Sequence, residues 1–262
     1  MGFLSFLRRK RADSYEKLRV ELWERVRARR PALSSLSEVD AASLRRLSSW
    51  FMETRDFVPI GGAVIDETGK ATIAVLSCLP ILHLGTAWYS DWSTLLVAPD
   101  GFVHSMTDVD DAGVVTEYND ELSGRVTDLG PVLLSLSDVL ESGYGDGYNV
   151  VVHEMAHKLD ERDGSLDGCP PLPRSMDRHA WRETFSNAFT DFRGRVERRS
   201  TRGRWNRRSR LPLDEYAAES QEEFFAVACE TFFDAPHRLK EAYPLVCSML
   251  ETFFAGTEST PQ

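Results

Sequence analysis

The chain has 262 residues, with 41 Asp and Glu against 31 Lys and Arg, a formal net charge of −10 at neutral pH and 42% hydrophobic residues. That acidity argues against general nucleic-acid binding. No apolar run reaches the roughly 20 residues a bilayer span needs, so a soluble protein with a substantial core is expected.

From the start, Met1 to Leu7 is too short for a secretory core, and its charges (Arg8, Arg9, Lys10, Arg11) follow rather than precede it. Apolar spacing predicts helices over 14–30 (Tyr15, Leu18, Leu22, Val26) and 39–55 (Leu44, Leu47, Trp50, Phe51). A buried helix over 68–84 is expected to bend or break at Pro80. Thr94 to Ala98 reads as a buried strand, with Val114-Val115 and Pro131 to Ser137 as further strand candidates. The stretch Gly143-Tyr144-Gly145-Asp146-Gly147 reads as a turn and not a phosphate loop, since no Gly-Lys-Ser/Thr follows. Asp146 or Asn149 is placed to cap the helix after it, which should end near Gly164. Helices over 178–197, 215–233 and 237–255 complete the pattern, with an Arg-rich loop at 199–210. That loop reads as a solvated helix end or as a docking surface for an acidic partner. Cys78, Cys169, Cys229 and Cys247 form no CxxC pair, which fits reduced core thiols and a cytoplasmic setting.

The sharpest signal is His153-Glu154-Met155-Ala156-His157, directly after Val150-Val151-Val152. On a helix, residues four apart share a face, so both imidazoles can hold one metal ion. Glu154 is then placed to act as general base toward water, the zinc-peptidase arrangement. The surrounding segment is mostly apolar, and two buried histidines one turn apart need a partner.

A catalytic zinc takes three protein ligands. Asp163, six residues after His157, is one candidate for the third, but that layout needs glycine where Asp160 stands. The other is Glu223, which enters the apolar run Phe224 to Cys229, where a carboxylate without a partner is costly. If 215–233 is one helix, Tyr216, Glu219, Glu223, Val227 and Glu230 share a stripe. Asp160 or Glu230 is a candidate to orient a ligand histidine. Tyr216 is suited either to donate a hydrogen bond to an oxyanion or to pack at the helix start. The strand around 131–137 is a candidate to pair with an extended peptide.

These residues resemble a family. Asn149 to Asp160 with Asp163-Gly164, together with Tyr216-Ala217-Ala218, Glu223 to Val227 and Glu230-Thr231-Phe232-Phe233, look like the two motifs of the Mlc titration factor A peptidases. Gly130 to Ser137 resembles the strand before that family's metal helix. The resemblance implies a bacterial, cytoplasmic zinc peptidase with a site similar in design to the anthrax lethal factor catalytic domain. It implies one Zn²⁺ per chain on His153, His157 and Glu223, Glu154 as base, and Tyr216 as the tyrosine seven residues before the third ligand. Aminopeptidase activity and binding of a glucose-responsive transcriptional repressor follow from it as well. The chain departs from the pattern in lacking a proline between Tyr216 and Glu223 and in carrying the Arg-rich 199–210 stretch.

The expected architecture is therefore α+β: a mainly helical, zincin-like metallopeptidase with a small sheet preceding the metal-binding helix. Residues 1–120 are expected to form a mostly helical lobe and 121–262 the catalytic lobe. The expected function is hydrolysis of peptide or protein substrates, with no direct nucleic-acid or membrane partner. The rival reading is a non-catalytic zinc protein that sequesters a transcription regulator.

Overall fold

In the computed structural model, residues 18–99, 130–201 and 211–256 are described. The Val114-Val115 strand, the Met1 to Leu7 start and most of the Arg-rich loop lie outside them. The chain divides into two units, Met1–Tyr144 and Gly145–Gln262.

The first unit begins with α1 (Val20–Arg27) and the short α2 (Pro31–Ser34), where Pro31 sits in the first turn and its missing N–H costs nothing. Helix α3 (Glu38–Thr54) is capped by Ser37, whose Oγ accepts from Asp40 N at 3.1 Å. Strand β1 (Asp56–Pro59) leads to α4 (Glu67–Cys78), capped by Asp66 through Gly69 N at 2.7 Å. A 3₁₀ turn (Thr86–Tyr89) precedes β2 (Thr94–Ala98), and β3 (Val132–Ser135) runs directly into α5 (Leu136–Glu141).

The three strands form a parallel sheet in the order β1-β2-β3, with Phe57 opposite Leu95 and Leu95 opposite Val132. Parallel neighbours need a crossover, which α4 supplies between β1 and β2. Every residue of β2 is buried, as a central parallel strand requires. In the same unit Phe51 meets Trp92 and Tyr89 edge-on, at centroid distances of 5.9 and 6.4 Å.

Three expectations change here. The 68–84 helix stops at Cys78, two residues before Pro80, because proline supplies no N–H and crowds the preceding turn. Strand β1 was not anticipated, since four residues ending in proline give little pattern; Pro59 is tolerated at the end of an edge strand. Ser137 belongs to α5, not to a strand, because Ser135 caps a helix there.

The second unit is helical: α6 (Val150–Asp160), α7 (Arg178–Thr201), α8 (Gln221–Asp234), α9 (Pro236–Ala242) and α10 (Pro244–Phe254). The helix expected over 237–255 is thus two, separated where Pro244 cannot continue the first. Its core is aromatic. Trp181 stacks on Phe185 at 4.4 Å and meets Phe253 at 5.8 Å, and Phe224 and Phe225 of α8 are fully buried among them. Each such ring contributes about 1.5–3 kcal/mol on burial, which fixes α8 against α7 and α10. Among the described residues no helix is long and apolar enough to cross a membrane. All four cysteines are free and buried.

Candidate metal centre

The chain enters α6 through the glycine-rich turn. Gly145 and Gly147 adopt φ of +89° and +92°, a region open to glycine but not to residues with a Cβ. Their amides donate to the Asp234 carboxylate, Gly145 N at 2.9 Å to Oδ1 and Gly147 N at 2.6 Å to Oδ2. The turn thus wraps an anion supplied by the protein itself. Of the two expected caps, Asn149 performs the role, its Oδ1 accepting from Val152 N at 3.2 Å. Asp146 instead accepts from Tyr148 N at 3.1 Å.

Helix α6 buries Val151, Val152, Met155, Ala156 and Leu159, which leaves His153 and His157 on one shared face. Their Nε2 atoms lie 3.1 Å apart. From α8, Glu223 Oε2 approaches to 3.1 Å from His153 Nε2 and 3.5 Å from His157 Nε2. These three residues form a group able to hold a metal ion. A tetrahedral zinc with Zn–N of about 2.0–2.1 Å separates its ligand atoms by about 3.3 Å, so the spacing fits. Glu223 Oε2 and His157 Nδ1 are both buried and take part in no hydrogen bond among the described residues. A buried carboxylate oxygen left this way is costly unless a cation satisfies it.

The electrostatics agree with that fit. Burial works against a charged Glu223, yet the adjacent His153 and His157 imidazoles outweigh it and hold its pKa down at about 2. Burial likewise disfavours a charged His153, but the Glu223 and Glu230 carboxylates lift its pKa to about 10. The pocket attracts positive charge. Glu154, next to His153, has its pKa raised by burial against the opposing pull of both histidines.

The alternative third position, Asp163, is not in the group. Its carboxylate is spent on Arg178 at 3.0 Å and on Ser165, which holds its pKa down despite partial burial. Asp160, the last residue of α6, is fully buried, and its Oδ2 accepts from Gly168 N at 2.7 Å. Burial pushes its pKa up to about 7.

The continuous helix expected over 215–233 does not form. Glu215–Ala218 is a 3₁₀ turn, and extended Ser220 caps α8, its Oγ accepting from Glu223 N at 3.3 Å. Tyr216 and Glu219 are therefore not on the α8 stripe. Tyr216 reaches the site anyway: its hydroxyl donates to Glu223 Oε1 at 3.5 Å, and its ring lies 5.9 Å from that of His153. Burial, Glu223 and Glu154 all raise the Tyr216 pKa, so the phenol keeps its proton and remains a donor.

Two contributors escaped sequence reasoning. Asp234 holds the glycine-rich turn from 89 residues away, and no local pattern marks that. Gly168 (φ +76°) packs where a Cβ would come within 2.8 Å of Gln221 O; a lone glycine in a loop gave no hint. Ser220 had a signal in Ser220-Gln221-Glu222-Glu223, the capping-box pattern.

Comparison with known proteins adds independent findings. The sequence matches the family described as glucose-regulated metallo-peptidase M90 over residues 4–255. It is similar to proteins named Mlc titration factor A: 33% identical in Cronobacter sakazakii, over 82% of this chain and 78% of that protein. In Yersinia enterocolitica the identity is 32%, over 86% and 81%, and in an Enterobacter species 32%, over 82% and 78%.

Proposed function

Because the chain belongs to the glucose-regulated metallo-peptidase M90 family, we propose that it hydrolyses peptide bonds using a zinc ion held by His153, His157 and Glu223. The observation that carries this reading is the convergence of two imidazole nitrogens and one undonated carboxylate oxygen from α6 and α8. Zinc bound there supplies Lewis acidity for a scissile carbonyl and for water. Glu154 takes the proton of the attacking water and returns it to the leaving amine; burial raises its pKa, which makes the carboxylate a stronger proton acceptor. Tyr216 donates to the oxygen on which negative charge develops. Aminopeptidase-type cleavage follows from the family resemblance.

The relatives' name, Mlc titration factor A, supports a further role in binding a transcriptional repressor of the Mlc kind. Four free, buried cysteines support a reducing, cytoplasmic setting for both roles. The same name favours a second reading, a sequestering protein whose metal is structural.

Zinc content should be about one per chain in the wild type, lost in Glu223→Ala and kept in Asp163→Ala. Glu154→Gln should abolish peptide-library hydrolysis while keeping zinc and repressor binding. Zinc lost with Asp163→Ala instead would overturn the ligand set, and a zinc-loaded wild type inert toward every peptide would favour the sequestering reading.

A further inference from the structure

Helix α8 carries three acidic residues toward the chain that builds α6: Glu223, then Glu230 seven residues on, then Asp234 four further, spacings that return to one helix face. The first joins the two histidines and the third wraps the glycine-rich turn. Glu230 lies between them and does two things at once. Its Oε1 is 2.7 Å from His153 Nδ1, and its Oε2 accepts from Asn149 N at 2.8 Å. The residue is 6% exposed, so neither bond competes with bulk water. A carboxylate with both oxygens fixed cannot rotate to follow the imidazole. The ring must instead orient to the carboxylate, its Nδ1–H donating and its Nε2 lone pair directed at the metal group.

Resting on the metallopeptidase reading above, we propose that Glu230 is a positioning residue for the metal centre: it fixes the tautomer and angle of His153 while tying that ligand to the N-cap of its own helix. The two ligand histidines are then unequal. His153 is set by a buried carboxylate, whereas His157 Nδ1 has no hydrogen bond among the described residues. The orientation of the first histidine governs how well the centre holds its ion.

The two bonds are separable by substitution. Glu230→Ala removes both. Glu230→Gln keeps an amide oxygen for His153 Nδ1–H but turns an NH₂ toward Asn149 N–H, so the backbone bond is lost. Zinc dissociation constants from competition with a chromophoric chelator, the visible spectrum of the cobalt(II)-substituted protein, and metal-free melting temperature are measured on full-length chains. Glu230→Ala is expected to weaken zinc binding about ten- to a hundredfold and to alter the cobalt bands. Glu230→Gln should recover most of the affinity and the wild-type spectrum, although its metal-free melting temperature falls as far as that of Glu230→Ala. Unchanged affinity and spectrum in Glu230→Ala would overturn the proposal. So would a Glu230→Gln as weak as Glu230→Ala, which would mean that metal binding merely follows stability. A wild type that binds neither metal would overturn the metallopeptidase reading itself, and this inference with it.

Discussion

At Glu223 one buried carboxylate oxygen faces two histidine nitrogens, and the tyrosine beside it donates to the other oxygen. Tyr216 keeps its proton and lies half exposed next to the metal group, so its removal should affect reaction more than binding. Tyr216→Phe is expected to lower kcat about a hundredfold with zinc content unchanged, read from steady-state peptide hydrolysis beside metal analysis. Asp160 gives a pH effect with a definite sign. Its folded pKa of about 7 lies above the ordinary value near 3.8, so the folded chain retains a proton that the unfolded chain releases. Its contribution to stability therefore falls as pH rises from about 4 to about 7 and is constant above. Denaturant midpoints in chelator should show Asp160→Asn gaining on the wild type across that window and levelling off beyond it. At this scale the sequence was legible where chemistry is local or out of place. His153, Glu154 and His157 lie within five residues, and Glu223 is a charge in an apolar run. Asp234 and Gly168 were not legible, because their partners lie elsewhere in the chain.

Elements were read well where one apolar face persists for several turns and poorly where a cap or proline intervenes. Helix α3 and strand β2 follow their hydrophobic patterns closely, whereas the segment before α8 looked helical by spacing alone. Ser220 decides that boundary by taking the Glu223 amide, and Tyr216 arrives on a separate turn. Ser220→Ala should cost about 1 kcal/mol in chemical denaturation. It should also weaken zinc binding, since Glu223 lies in the first turn that the cap secures. Gly168 holds three helices together. Its amide meets Asp160 of α6, its carbonyl accepts from Trp181 Nε1 of α7 at 2.9 Å, and its bare Cα lets Gln221 of α8 approach. Gly168→Ala must accept both a positive φ and a close contact with backbone, so a loss of about 2 kcal/mol or more is expected by the same measurement.

For the molecule as a whole, the sequence conveyed the mainly helical class with a small sheet. It did not convey that the sheet belongs to the first unit and the metal group to the second. That division gives a prediction. A ligand that binds only the folded state stabilises the unit that holds it, so chelation should lower the melting temperature of Gly145–Gln262 signals, such as Trp181 burial, more than that of the first unit. The glycine-rich turn has a last consequence, in kinetics. The bonds from its amides to Asp234, and from Asn149 N to Glu230, are made wholly within the protein, so the approach to α6 needs no ion to complete it. Metal uptake by the chelated protein need not wait for a loop to find its shape. Mixed rapidly with excess zinc, the apoprotein should load in a single phase whose rate rises linearly with zinc concentration, with no plateau from a slow rearrangement.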